Sequence, residues 1–282
     1  MDLGIAKRHA ILLASSRGLG RACAESLARE GVNVVINGRT ADDVHRAVDE
    51  ITSRYKVDAK GVVGDSSTIE VQEQLIAACD SPDIVLLNGE GPSPKMFQDI
   101  TENDLHESIE RALTAPLMFL QRVIPGMCER KFGRIIAISS AMVKSPNPAM
   151  SLSHGPRLGL TGVLKGLSKD LAKFNVTVNQ LLPERFDTYR QEQMAQIVMQ
   201  IRGVTYEEAR ADQIKSIKAS RLGKHEEFGD AWTEPENIVT YGPFALQDWV
   251  HGESATRIRN PFWPGTEGMP QAQVDGIYDT FL

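Results

Sequence analysis

The first residues suited to chemistry form a short turn, Ala14-Ser15-Ser16-Arg17-Gly18-Leu19-Gly20, between an apolar run and a helical stretch starting at Arg21. Small residues and glycines there let backbone amides approach a phosphate, and the helix N-terminus adds a positive dipole end. A tight turn without a ligand uses the same residues. The position between strand and helix, at the start of an alternating chain, favours a bound pyrophosphate. Two arginines stand near this turn in the expected fold, Arg17 within it and Arg39 in Asn37-Gly38-Arg39. Two guanidinium groups can clasp one phosphate with charge-assisted hydrogen bonds. The alternative is a pair of ordinary solvated charges. Cys23, Cys79 and Cys128 are scattered, with no Cys-x-x-Cys and no metal-ligand spacing, so no metal site is expected and a reducing compartment is.

These residues need a scaffold, and the first 190 residues supply alternating apolar runs and helical stretches. Strands are predicted at His9–Ala14, Val32–Asn37, Gly61–Val63, Ile84–Leu87, Arg134–Ser139 and Val176–Leu182. Several are nearly continuous runs of Val and Ile, as in strands covered on both faces. Helices are predicted at Arg21–Glu30, Ala41–Tyr55, Ile69–Cys79, Thr101–Arg130 and Arg157–Phe174. Gly31 is placed to stop the first, and Thr40 with Asp43 to cap the second. Strict β/α alternation implies an α/β fold, a Rossmann-type doubly wound parallel sheet whose ligands bind beyond the carboxyl ends of the strands. Two further helices, Gln191–Arg202 and Thr205–Ala219, stand where such folds carry a mobile cover.

The order and spacing of these features resemble the short-chain dehydrogenase/reductase family, whose turn reads G-x-x-x-G-x-G. Ala14 takes the first glycine position, and Gly18 and Gly20 match the others. The resemblance continues through Asp65, Asn88, Ser139-Ser140, Pro183 and Thr188, ending near Trp232. It implies a nicotinamide dinucleotide held by Ser15, Ser16, Arg17, Gly18, Leu19 and Gly20. Asp65 and Ser66 would flank the adenine, Asn88 and Gly89 would line the ribose, and Arg157, Pro183 and Thr188 complete the set. NAD sites place a carboxylate near the end of the second strand, whereas NADP sites prefer arginine. Arg39 and Arg17 therefore favour NADP(H) over NAD(H), with Asp42 and Asp43 read as first-turn helix residues. One departure is Leu87-Asn88-Gly89-Glu90 in place of Asn-Asn-Ala-Gly. Glu90 puts a carboxylate where glycine gives room, and it either points to solvent or reshapes the nicotinamide side.

The resemblance also implies a catalytic set of Asn, Ser, Tyr and Lys, and here the sequence departs from it. Ser140 takes the serine position, but Ser153 stands for the tyrosine, Arg157 for the lysine and Ala112 for the asparagine. Tyrosine has a reference pKa of about 10 that a neighbouring cation can lower; an alkyl hydroxyl is a far weaker acid. Arginine stays protonated, so Arg157 can bind ribose or polarise an oxygen but cannot relay protons. His154 and Tyr189 are the candidate proton donors. Their alternatives are a helix-start surface residue and a packing aromatic. Gly91-Pro92-Ser93-Pro94, Leu152-Ser153 and Arg221-Leu222-Gly223-Lys224 resemble a subgroup of ketoacyl carrier-protein reductase-like proteins with Ser-x-x-x-Arg.

The expected function is an NADP(H)-dependent oxidoreductase acting on a small carbonyl or alcohol. The alternatives are a cofactor-binding sensor or pseudoenzyme, and a lyase-like enzyme on the same scaffold. A net charge of −6 disfavours nucleic-acid or anionic-membrane partners. The longest early apolar run, Ala10–Ala14, is too short for a signal or membrane span, so a cytoplasmic location is expected. Family members commonly assemble through the helices here spanning Thr101–Arg130 and Arg157–Phe174, so a homo-oligomer, dimer or tetramer, is expected. Leu113, Leu117, Leu120 and Ile124 at helical spacing suit either that interface or the core. After Ala231 the texture changes, with all 3 tryptophans and a concentration of prolines. The expected organisation is one dinucleotide-binding domain, residues 1–232, and a divergent, irregular C-terminal extension, 233–282. In the extension Tyr241, Phe244, Trp249, Phe262 and Trp263 offer apolar surface for a subunit or pocket, and Val274-Asp275-Gly276 resembles the family's last strand.

Overall fold

The computed structural model describes residues 3–79, 81–217, 219–229, 244–250, 254–259 and 276–280. The chain divides into two compact units, Met1–Leu222 and Gly223–Leu282. In the first, six strands form one parallel sheet: β1 (His9–Leu12), β2 (Asn33–Gly38), β3 (Ala59–Val63), β4 (Ile84–Leu87), β5 (Gly133–Ile138) and β6 (Val176–Leu181). Their spatial order is β3-β2-β1-β4-β5-β6. The apolar runs explain this arrangement. Ala10 to Leu12 and Ile84 to Leu87 are buried throughout, so β1 and β4 are covered on both faces and take the centre. The chain leaves β1 for β2 and β3 on one side, then crosses back to β4 on the other. The β1/β4 boundary is therefore the switch point, where an open α/β sheet parts its loops and makes a crevice.

The helices covering this sheet are α1 (Gly18–Arg29), α2 (Ala41–Arg54), α3 (Ile69–Ala78), α4 (Glu102–Ile109), α5 (Ala115–Glu129) and α6 (Ser151–Leu171). After β6 come α7 (Tyr189–Arg202) and α8 (Tyr206–Lys215). Leu75, Phe119, Met127, Ile135 and Leu164 are among the fully buried side chains of the core. Leu120 joins them, and Leu113, Leu117 and Ile124 pack against that core, so the leucine stripe faces inward. Thr40 stands at the N-cap of α2 in extended conformation without a side-chain cap bond, so the expected Thr40–Asp43 cap is not formed. Asp43 instead pairs with Arg17 and Arg46.

The helix limits differ from the sequence expectation at several places. α1 begins at Gly18, so the glycines belong to its first turn and Arg21 comes after them. The stretch 101–130 contains a π-helical turn, Glu110–Thr114, between α4 and α5. α6 begins at Ser151, six residues before Arg157, and runs through Gly155 and Pro156. A proline inside a helix leaves the carbonyl four residues earlier without its N–H partner. That carbonyl belongs to Leu152, and the buried Ser108 hydroxyl of α4 donates to it instead. Ser108→Ala is expected to cost about 1–2 kcal/mol, because it orphans a buried carbonyl. Urea denaturation measures this; a loss of a few tenths would show that the bond is dispensable.

The second unit has α9 (His225–Gly229) and a three-stranded antiparallel sheet, β7 (Phe244–Val250), β8 (Ser254–Arg259) and β9 (Gly276–Thr280), in the order β7-β8-β9. Part of the stretch expected to be irregular is thus extended and paired. β7 carries a register shift between Leu246 and Asp248, and such an irregularity removes the strict alternation by which a strand is recognised. Trp232, Thr233, Tyr241, Phe262, Trp263, Val274 and Asp275 lie outside the described residues. Among the described residues no helix is long and apolar enough to cross a membrane.

Candidate active site

The turn after β1 is tied down by two asparagines from neighbouring strands. Asn37, near the end of β2, is 1% exposed. Its Oδ1 accepts from Ala14 N at 3.0 Å, and its Nδ2 donates to Val62 O and Gly64 O at 3.1 Å each. Its backbone oxygen accepts from Ser15 N and Ser16 N, at 2.7 and 3.1 Å. Asn88, just past β4, donates from Nδ2 to Ala14 O at 2.8 Å. The ends of β1, β2, β3 and β4 are thereby joined at one point. Ala14 is held at φ +44°, in the left-handed region that favours glycine. Ala14→Gly is therefore expected to raise stability by about 1 kcal/mol, seen as a higher midpoint of chemical unfolding. An unchanged or lower midpoint would mean that the turn carries no strain.

Ser15 is fully buried, donating to Leu12 O at 2.7 Å and accepting from Asn37 N at 3.2 Å, so its side chain serves the turn. Ser16 packs its hydroxyl beside Gly38, where a side chain would run into it. Gly18 has φ +60°, and a Cβ there would meet only Thr188 Cγ2, at 3.9 Å. Gly20 lies against the turn itself: its Cβ would stand 2.6 Å from Ala14 O and 2.8 Å from Asn88 Nδ2. Leu19 is half-buried between them. A Cβ at Gly89 would meet nothing within 4 Å, so the crevice beside β4 is open. An open backbone at Gly18 and Gly89, with the first amides of α1 beside it, fits a dinucleotide pyrophosphate.

Charged groups line the same crevice. Arg17 lies 3.9 Å from Asp43, and its guanidinium stacks 4.3 Å from the Tyr189 ring centroid. Arg39 pairs with Glu90. Asp65 accepts from Ser67 N and Oγ at 3.0 and 2.7 Å and from Arg111 Nη1 at 2.7 Å. Burial would raise the Asp65 pKa, but the bonds from Ser67 and Arg111 outweigh it and hold the carboxyl below its ordinary value. Ser66 accepts from Gln72 through its backbone oxygen.

Ser140 and Arg157 sit at the carboxyl end of β5, and Ser153 lies one turn before Arg157 on α6. Ser140 caps the short helical turn Ala141–Val143, accepting from Met142 N at 3.2 Å. Pro183 O accepts from Ala141 N at 2.9 Å, bringing the end of β6 to the same edge. Ser153 is 4% exposed in the first turn of α6, and Arg157 follows one turn later on the same face. Arg157 Nη1 donates to Ile138 O at 3.1 Å, while its shielded Nε has no partner among the described residues. Burial pushes this guanidinium pKa down, and the charge of Arg190 adds to the shift. Ala112, at the asparagine position, lies in the π-helical turn, a feature often found at functional sites.

The two candidate proton donors are placed differently. His154 is buried, and its Nε2 lies 2.8 Å from Asn147 O and 3.3 Å from Asn147 N, pinning the loop before α6. Tyr189 is 49% exposed and lies over Arg17, in the glycine turn. Thr188 is the N-cap of α7 without a side-chain cap bond. Arg190 follows, donating to Pro92 O at 2.6 Å across the crevice. The sequence reading missed Asn37, Ser108 and Arg190. The one sequence signal for Asn37 is a polar residue closing the apolar run Val34-Val35-Ile36.

Residues 8–197 match the family described as short chain dehydrogenase. The chain belongs to this family. The short-chain dehydrogenase match covers the sheet, the glycine turn and α6, and by family the chain is of the oxidoreductase type, with reductases among its relatives. It is 27% identical over 257 residues to the 3-oxoacyl-[acyl-carrier-protein] reductase of Aquifex aeolicus, covering 90% of this chain and 96% of the relative. It is 30% identical over 181 residues to the inactive hydroxysteroid dehydrogenase-like protein 1 of Pongo abelii, covering 62% of this chain and 55% of that one. The fold is that of the L-sorbose reductase of Gluconobacter frateurii, solved with NADPH and L-sorbose. The TM-score is 0.76 at 24% identity, over 82% of this chain and 90% of that one.

Proposed function

We propose that this short-chain dehydrogenase is an NADP(H)-dependent oxidoreductase of small carbonyl or alcohol substrates, built on Ser-x-x-x-Arg in place of Tyr-x-x-x-Lys. The carrying observation is the glycine turn: Asn37 and Asn88 hold it open beside the first amides of α1. Amides there take the pyrophosphate, Arg17 and Arg39 take a 2′-phosphate, and Arg157 takes the ribose or the substrate oxygen. A nicotinamide held there supplies or accepts hydride. Ser140 and Ser153 orient the substrate oxygen, and Arg157 balances charge that develops on it. Arginine keeps its proton, so the proton comes from water or from Tyr189 after it leaves Arg17. NADPH-bound relatives, the L-sorbose reductase among them, support this cofactor choice.

The second reading, a cofactor-binding protein without turnover, draws on His154. Its ring is bound to the Asn147 backbone, which removes one candidate acid. Titration with NADPH and NADH, followed by absorbance at 340 nm over a panel of carbonyl substrates, separates the readings. Tighter NADPH binding with turnover supports the first. NADPH binding with no turnover on any substrate supports the second, and tighter NADH binding overturns the cofactor assignment. Cytoplasmic location belongs to the same proposal, as does assembly into a dimer or tetramer. Met118 of α5 and Leu158 and Val163 of α6 are exposed apolar residues on the helices concerned. Light scattering reads the assembly state directly.

A further inference from the structure

The Arg39–Glu90 pair spans the crevice in which the dinucleotide is proposed to lie. Arg39 follows β2 and Glu90 follows β4, while β1 and its glycine turn lie between those strands. Two interstrand spacings, roughly 10 Å, separate the two chain segments, so both side chains must reach over the turn to meet. The side chains are 53% and 42% exposed, and a Cβ at the neighbouring Gly89 would meet nothing within 4 Å. The pair thus crosses an open, solvent-accessible trough.

We infer that Glu90 is a specificity-determining residue that occupies Arg39 when no ligand is bound and must give it up to a ribose 2′-phosphate. This rests on the proposed NADP(H) reading and deepens it. The guanidinium donors that bond a carboxylate in this geometry are the donors a phosphate needs. The carboxylate is then a competing anion, and once displaced it repels the phosphate that replaced it. A dinucleotide without the 2′-phosphate also has to pass the pair, but it offers Arg39 no anion in place of the carboxylate, so it competes with Glu90 less. Glu90 therefore lowers affinity for the phosphorylated cofactor selectively. Arg190 is a second cation within reach of Glu90's field: burial pushes its pKa down, and the charge of Glu90 partly offsets this. Arg190, the second residue of α7, donates to Pro92 O, two residues past Glu90, which places its charge beside the displaced carboxylate.

The test is calorimetric titration of the full chain with NADPH and with NADH, in wild type, Glu90→Gln, Arg39→Gln and the double variant. Glu129→Gln on the far end of α5 controls for net charge. Glu90→Gln is expected to tighten NADPH about three- to five-fold, the range of an exposed ion pair, and to change NADH by less than about two-fold. Arg39→Gln is expected to weaken NADPH about tenfold. In that background the Glu90 change should have less than about a two-fold effect, because the competition has lost its object. Glu129→Gln should match wild type. The inference is overturned if Glu90→Gln leaves NADPH unchanged while NADPH still binds. It is equally overturned if Glu90→Gln weakens NADH, which would make the carboxylate a ligand of the ribose hydroxyls. If neither dinucleotide binds any variant, the proposed function falls and the inference falls with it.

Discussion

Asn37→Ala is expected to cost about 3 kcal/mol of folding stability, since an unsatisfied buried group costs about 1–3 kcal/mol and one buried and two partly buried groups are left behind. The groups are Ala14 N, Val62 O and Gly64 O, each bonded to the Asn37 side chain at 3.0–3.1 Å. Asn37 is 1% exposed, so water does not take its place without opening the sheet edge. The loss should appear as a lower denaturation midpoint with an unchanged slope, because the unfolded state is the same size. A loss below about 1 kcal/mol would show that the turn relaxes at little cost. Dinucleotide affinity should fall as well, because Ala14, freed at its amide, no longer fixes the turn before the α1 amides.

Gly20→Ala is expected to reduce dinucleotide affinity by about a hundredfold and stability by about 2 kcal/mol, as overpacking of a close backbone contact does. The added methyl would stand 2.6 Å from Ala14 O, 2.8 Å from Asn88 Nδ2 and 2.8 Å from Ser15 Cα. Two of these atoms are backbone and the third anchors the turn, so no flexible side chain can move aside. The turn must shift away from α1, and the amides that would bind pyrophosphate lose their arrangement. Gly89→Ala is the matched control. Its methyl meets nothing within 4 Å, and stability should stay within about 0.5 kcal/mol of wild type. Affinity unchanged in Gly20→Ala would remove the glycine turn as the carrier of the proposed function.

In the proposed function, the edge at the end of β5 is a family frame with altered chemistry. Ser140 follows β5, Ser153 and Arg157 stand in the first turns of α6, and Ala112 lies in a π-helical turn. Under that proposal the site has no hydroxyl acid at Ser153 whose pKa a cation could lower. It has instead the Arg157 guanidinium, whose Nε is buried and unpartnered among the described residues. Such a group favours an oxygen or an anion beside it and cannot donate its own proton. Proton supply therefore becomes the property that separates an enzyme from a sensor here.

The helical cover also has a defined role. Tyr189 lies on Arg17, and Arg190 binds Pro92, so the start of α7 is attached to both sides of the crevice. A ligand entering between β1 and β4 has to exchange these contacts for its own. That exchange is local, involving an exposed ring and a long side chain, and it leaves the buried sheet untouched.

The α/β alternation, the parallel sheet and the glycine turn are legible along the chain, as is the four-residue spacing that puts Ser153 and Arg157 on one face of α6. These are readable because they depend on near neighbours: apolar runs, helical period and fixed offsets along the chain. The strand positions agree closely for the same reason, as with Ile84–Leu87 for β4. Assembly of the fold was needed to show that Asn37 bonds both the glycine turn and the end of β3, and that Ser108 rescues the Leu152 carbonyl. It also decided that Arg39 and Glu90 meet across the glycine turn. These contacts join residues separated by a strand crossing, and their energies come from burial and from which polar groups are left to pair. No local pattern contains that information, because β2 and β4 become neighbours of the same turn only when the sheet is assembled with β1 between them.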